Sequence, residues 1–213
     1  MKKFSGKLAL FAGAVLFFAG IFASCTVNVT VQANKNGSVD VKFAAGAGEA
    51  FSKMIKSASG QTSDEYIDKN QILYELAKGG FSNVNIPSAT ASNFEVNLTD
   101  SEKKSYLFTT GIFSEEKGDL KVSLTGEKLK KFYDSADEQT KMVLDILLVP
   151  VFNDEEMSES EYLEMIGTVY GADVQKELQN SVVNLTLINV DGKKTNKKIP
   201  MAEILTLSGE LNF

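Results

Sequence analysis

Residues 26–44, TVNVTVQANKNGSVDVKFA, alternate strictly: Val27, Val29 and Val31 are interleaved with Thr26, Asn28, Thr30 and Gln32, and the alternation resumes at Val39, Val41 and Phe43. A period of two sends successive side chains to opposite faces, so the two runs read as half-buried strands. Between them, Asn34-Lys35-Asn36-Gly37 ends in an Asn-Gly pair that favours the positive φ of a tight turn, which joins the strands as a hairpin. A hairpin with one apolar face needs a cover, so the rest of the chain must supply it.

Downstream, Phe51, Met54, Ile55 and Ala58 recur at helical spacing. Gly46 and Gly48 precede them without a GxGxxG or GK[ST] pattern, so they read as close packing at a strand-to-helix turn and not as a phosphate cradle. A second helix opens at a capping box of Thr62 and Glu65, carries Tyr66, Leu73, Leu76 and Ala77 on one side, and stops at Gly79-Gly80. From Phe81 the period returns to two. Val84 and Ile86, then Phe94, Val96 and Leu98, then Ser105 to Ser114, then Leu120, Val122 and Leu124 read as an antiparallel meander, with a hairpin turn at residues 115–119.

Helical spacing follows in four short stripes. Leu129, Phe132, Tyr133 and Ala136 form the first; Met142, Val143, Ile146 and Leu147, behind a capping box of Ser135 and Glu138, form the second, closed by Pro150. Ser158 and Glu161 open the third, with Tyr162, Met165, Ile166, Val169 and Tyr170 on one face and Gly171 at its end; Val174 and Leu178 mark the fourth. Val183, Leu185 and Leu187 return to strand, Asp191-Gly192 turns into a lysine stretch, a turn of helix follows Pro200, and a last strand runs through Leu207, Leu211 and Phe213. No linker, repeat or shift of composition divides residues 25–213. They are expected to form one α+β domain whose antiparallel sheet, a meander plus the N- and C-terminal strands, is covered on one face by several helices.

Ahead of this domain, Lys2, Lys3 and Lys7 precede a charge-free apolar run from Leu8 to Phe22, and the small residues Ala23 and Ser24 lead into Cys25. That order is the signature of a secretory signal peptide, and the run falls short of the roughly 20 apolar residues that span a membrane. Phe22-Ala23-Ser24-Cys25 resembles the lipobox of bacterial lipoproteins, in the looser form found in spirochaetes, with Phe22 where most boxes have Leu. The resemblance covers residues 1–25 and implies cleavage before Cys25, with a diacylglyceryl group on its sulfur and an acyl chain on its amine. Residues 1–24 are then the signal, and Cys25 is the lipidation site. More than one acyl chain, at about 0.8 kcal/mol per buried methylene, anchors a protein stably. The expected place is the cell envelope, extracytoplasmic and lipid-anchored to a bacterial membrane, with the first strand starting directly after the anchor.

Composition narrows the chemistry. All 22 basic residues of the 213-residue chain are lysines; there is no His and no Trp, and Cys25 is the single thiol. Such a chain has no imidazole base, no Ser-His-Asp triad, no His- or thiolate-bound zinc, no intramolecular disulfide and no guanidinium clamp on phosphate. Removal of the signal leaves 19 lysines against 28 acids, a net charge of −9 that opposes nucleic acid and gives no pull toward anionic headgroups. The acids Asp154, Glu155, Glu156, Glu159 and Glu161 offer oxygen ligands, but they lack EF-hand spacing and suit a helix start, so neither a metal nor another cofactor is expected. Lys193, Lys194, Lys197 and Lys198 read first as a solvated hairpin edge and second as a contact for an anionic partner or headgroup.

Three functional classes remain. The leading one is a non-enzymatic binding or scaffolding domain held close to the bilayer, with the membrane and an envelope protein as partners. The second is a carrier of a lipid or other apolar ligand, for which the apolar stretch Met142 to Phe152, read first as a core helix, would instead form one wall. The third is a hydrolase running on paired carboxylates, for which no catalytic residues can be named.

Overall fold

A computed structural model describes residues 24–58, 69–89, 93–135, 141, 144, 145, 147–153 and 156–213. The decisive hairpin is the centre of the molecule. Strand β1 (Ser24–Ala33) and strand β2 (Val39–Ala47) pair antiparallel with Val27 opposite Ala45 and Val31 opposite Val41, joined by a turn in which Gly37 takes φ +86°. Val27, Val29, Val31, Val39, Val41 and Phe43 are buried, while Thr26, Asn28 and Gln32 face solvent, as the period requires.

Strands are added on both sides. Beyond β2 lie β4 (Phe94–Asp100) and then β3 (Asn83–Ala89); beyond β1 lie β7 (Val182–Ile188) and then β8 (Lys194–Pro200), giving the order β3-β4-β2-β1-β7-β8. Every neighbouring pair is antiparallel except β1 and β7, which run parallel from Thr26 opposite Val182 to Gln32 opposite Ile188. The chain is thus an α+β fold with a mixed, mainly antiparallel sheet. Its apolar face also carries Val96, Leu98, Val183, Leu185 and Leu187.

The cover comes from helices α1 (Glu49–Ala58), α2 (Lys69–Lys78), α6 (Glu159–Tyr170) and α7 (Ala172–Gln179), whose buried members include Phe51, Ile72, Leu76, Tyr162, Ile166, Val174 and Leu178. Ser158 caps α6 as expected: its Oγ accepts the Glu161 N–H at 3.3 Å, and the Glu161 carboxylate in turn accepts the Ser158 N–H at 2.9 Å. Gly171 ends it at φ +102°, and α7 follows at once. Val169 departs from the expected stripe and is 63% exposed; Tyr162 and Ile166 are buried, and Met165 and Tyr170 pack against the core while partly buried. Leu144, Leu147, Leu148 and Val151 are buried, the last in α5 (Val149–Phe152), so this apolar stretch is core. The Tyr162 hydroxyl donates to the Leu147 carbonyl at 2.9 Å and ties α6 to it; burial pushes that phenol's pKa upward. The capping boxes at Thr62 and Ser135–Glu138, with Tyr66, Met142, Val143 and Ile146, fall outside the described residues or side chains.

Two expectations are corrected. The meander does not continue through Ser105 to Ser114. The chain leaves the sheet at Asp100, whose buried carboxylate accepts the N–H groups of Glu102, Lys104 and Ser105, and residues Tyr106–Thr109 form a helical turn, α3. Three consecutive apolar or aromatic residues, Tyr106-Leu107-Phe108, suit a turn that buries Leu107 as well as they suit a strand. Strands β5 (Phe113–Glu116) and β6 (Asp119–Leu124), with the Lys117-Gly118 turn at positive φ, therefore build a second, small sheet. Secondly, the chain's last strand, β9 (Leu211–Asn212), pairs with β6 and not with the main sheet. Helix α8 (Met201–Leu205), nearly all buried, turns the chain off β8 and across the apolar face, and α4 (Gly126–Ser135) follows β6 with Leu129 and Phe132 in the core.

Candidate functional site

The sequence singles out Cys25, and its place in the fold is defined by the backbone. Ser24 stands opposite Ala47 and Thr26 opposite Gly46, so Cys25 is the extra residue of a bulge where β1 begins. Regular pairing starts at Thr26, which has Gly46 on one side and Val182 on the other. A chain held at residue 25 is therefore held at one end of the central strand, beside the β2–α1 and α7–β7 connections.

Those two connections are locked together. The Glu177 carboxylate, projecting from α7, accepts the N–H groups of Ala50 at 3.0 Å and Phe51 at 2.8 Å, supplying the first turn of α1 with the acceptors that a local cap would give. Gly48 makes this possible: a Cβ there would overlap the Glu177 carboxylate. Gly48→Ala is expected to cost about 1–2 kcal/mol through the displaced cap, read as a lower denaturant midpoint with unchanged slope. Added to a Glu177→Ala background, the same change should cost almost nothing more. Around this cap an open cleft of 510 Å³ is lined by Glu49, Ala50, Lys53, Asp173, Lys176, Glu177 and Asn180. Its charges are mixed, and Lys53 is bound to Glu49 at 2.6 Å.

A second hollow lies between the two sheets. It is wholly apolar, lined among others by Val29, Leu107, Phe113, Val122, Leu185 and Ile204, and has a volume of 80 Å³. A cavity of about 150 Å³ is what holds a benzene, so no acyl chain fits here.

The remaining candidates divide in the same way. Glu161 is used by the α6 cap, Asp154 and Glu155 lie outside the described residues, and among the described residues no three potential metal-binding side chains come together. Asp100 is the one buried acid among the described residues, and its oxygens are taken by three N–H groups. A facing carboxyl pair of the kind a glycosidase needs is not formed around it. Lys193, Lys194, Lys197 and Lys198 lie on the tip and strand of β8, all exposed. Sequence reasoning missed the Glu177 cap, because its partners are 126 and 127 residues away and no local spacing announces it. Comparison with protein-family models, with curated proteins and with solved structures finds no match to this chain.

Proposed function

We propose that the chain is an envelope lipoprotein, lipid-anchored through Cys25 on the extracytoplasmic side of a bacterial membrane, whose domain binds or scaffolds a partner close to the bilayer without catalysing a reaction. The observation that carries this reading is the position of Cys25. The chain's single thiol follows the apolar run and two small residues, and one residue later the regular pairing of the central strand begins, with partners on both sides. At about 3.4 Å per residue the anchor leaves no slack, so the domain sits against the headgroups by covalent geometry. Among the described residues, the apolar hollow is too small for an acyl chain, which favours a binding surface over a lipid carrier, and the one buried acid has its oxygens occupied, which favours it over a carboxylate hydrolase.

The test is Cys25→Ser. Radiolabelled palmitate should enter the wild-type chain and not the variant, and the variant should move from the membrane pellet to the soluble fraction. Equal labelling of both would overturn the reading. Inserting a short Gly/Ser linker between Cys25 and Thr26 should leave labelling and thermal stability unchanged while impairing complementation of a deletion strain, since the domain would swing free of its membrane-proximal partner.

A further inference from the structure

Strand β8 is an outer edge of the main sheet, and five consecutive residues of it, Lys194 to Lys198, are exposed. Its backbone polarity can be assigned. The β7–β8 turn closes with the Asn189 N–H donating to the Lys193 carbonyl at 3.0 Å, and the register runs on from Ile188 opposite Lys194 to Val182 opposite Pro200. Antiparallel pairs alternate between bonded and non-bonded positions, so residues 195, 197 and 199 bond inward to β7, while Lys194, Asn196 and Lys198 present N–H and C=O outward. Pro200, which has no N–H, falls at an outward position and ends the row.

The charge of this edge is opposite to that of the molecule. Elsewhere several lysines meet acids, among them Lys53 with Glu49, Lys103 with Glu115, Lys121 with Glu116 and Lys131 with Glu127, and no other part of the described chain gathers four lysines along one strand and its turn. Along β8 no acid pairs with Lys193, Lys194, Lys197 or Lys198 among the described residues, and Lys197 instead lies 5.7 Å from the centre of the Phe213 ring. Lysines flank the free backbone row on both faces, since side chains 194 and 198 share one face and 197 takes the other. A second copy of β8 would bring lysine against lysine, which is repulsive.

We propose that the outer edge of β8 is the docking edge of this domain, and that it accepts an acidic, extended segment of a partner protein as a seventh strand. Backbone bonds to Lys194, Asn196 and Lys198 would hold the segment, and carboxylates on alternate residues would meet the lysines. Headgroups fit less well. Lys198 aligns through Asn184 with Asn28, two residues from Thr26, where the regular pairing of β1 begins, but Lys194 aligns through Ile188 with Gln32, four residues further from Cys25, or about 13 Å at ~3.3 Å per residue. That climb exceeds the roughly 8 Å over which salt leaves charges in contact. The proposal supplies the partner class for the binding reading above and rests on it.

The full chain in detergent, titrated with a fluorescent octapeptide of alternating Glu and Val and with its Lys-Val counterpart, tests the assignment. The acidic peptide should bind, the basic one should not, and added salt should weaken binding. Lys194→Glu combined with Lys198→Glu should lower affinity by about tenfold or more, as should Asn196→Pro, which keeps every lysine and removes one outward N–H. Both variants should keep the wild-type melting temperature. Equal binding of the two peptides, no binding, or binding indifferent to the lysine changes would overturn the proposal. It would also fall if vesicles of phosphatidylcholine and phosphatidylglycerol bound through the same lysines while the peptide did not, or if Asn196→Pro abolished a self-associated form of the chain. With palmitate labelling intact, any of these failures removes the edge and leaves the anchored domain standing.

Discussion

Asp100→Ala is expected to lower the unfolding free energy by about 3–5 kcal/mol, because three N–H donors lose a charged acceptor at once. Asp100 is 1% exposed; one oxygen accepts from Glu102 at 3.2 Å and Lys104 at 3.1 Å, the other from Ser105 at 2.8 Å. Water can replace it at the two outer groups but not at Ser105, whose surroundings are fully buried. The effect extends beyond one loop, since this carboxylate sets where the chain leaves β4 and begins α3. Burial alone would raise the pKa of Asp100, yet the hydrogen bonds outweigh it and hold the carboxyl below its ordinary value. A lowered folded-state pKa gives stability that is full above the unfolded pKa of about 3.9 and is lost as pH falls through the folded value. Urea melts between neutral pH and pH 3 should show an acid limb that is shallower in Asp100→Asn, whose amide also turns an N–H toward an N–H. An unchanged limb and a loss below 1 kcal/mol would refute this account.

Phe43→Ala should cost about 3–5 kcal/mol, the range for truncating a buried aromatic in a core that cannot close over the space. Phe43 is 1% exposed at the centre of the main sheet, opposite Val29 on one side and Val96 on the other, with its ring 6.1 Å from that of Phe94. Neighbours on paired strands are held by the ladder and relax little. Phe43→Leu should recover more than half of the loss, and equilibrium denaturation of the three chains decides it; a Phe43→Ala chain within 1 kcal/mol of wild type would mean that the sheet face is looser than its burial states.

The sequence was legible where one residue's fate depends on its near neighbours. The period of two in residues 26–44, the Asn-Gly turn, the Ser158–Glu161 cap and the Gly171 stop all act within one or two turns of chain, and each is found as read. It was illegible where a distant partner decides. Tyr106 to Phe108 carries no local signal separating strand from helical turn, and the arbiter is Asp100 closing the loop ahead of it. Nothing in Leu211 says which sheet it will join; the buried turn of α8 sends it to β6. The same holds for the candidate sites. Cys25 is announced by its flanks, and the lysines of β8 by composition, but the bulge at one and the outward backbone row of the other depend on pairings with β2 and β7.

The parallel pairing of β1 with β7 also orders events in time. Thr26 must find Val182, so the central strand, which precedes the other described strands in the chain, lacks its second neighbour until β7 has been made. Hairpin β1–β2 can close within microseconds, but docking of β7 has to wait on loop closure across the intervening helices, the slow kind of contact. During that interval the exposed flank of β1, with its row of valines, is an unpaired edge of the sort that aggregates. A folding chain tethered at Cys25 would spend this vulnerable period spaced on a surface and away from its copies in bulk solution. The anchor proposed at Cys25 would then serve assembly of the fold before it served the finished protein.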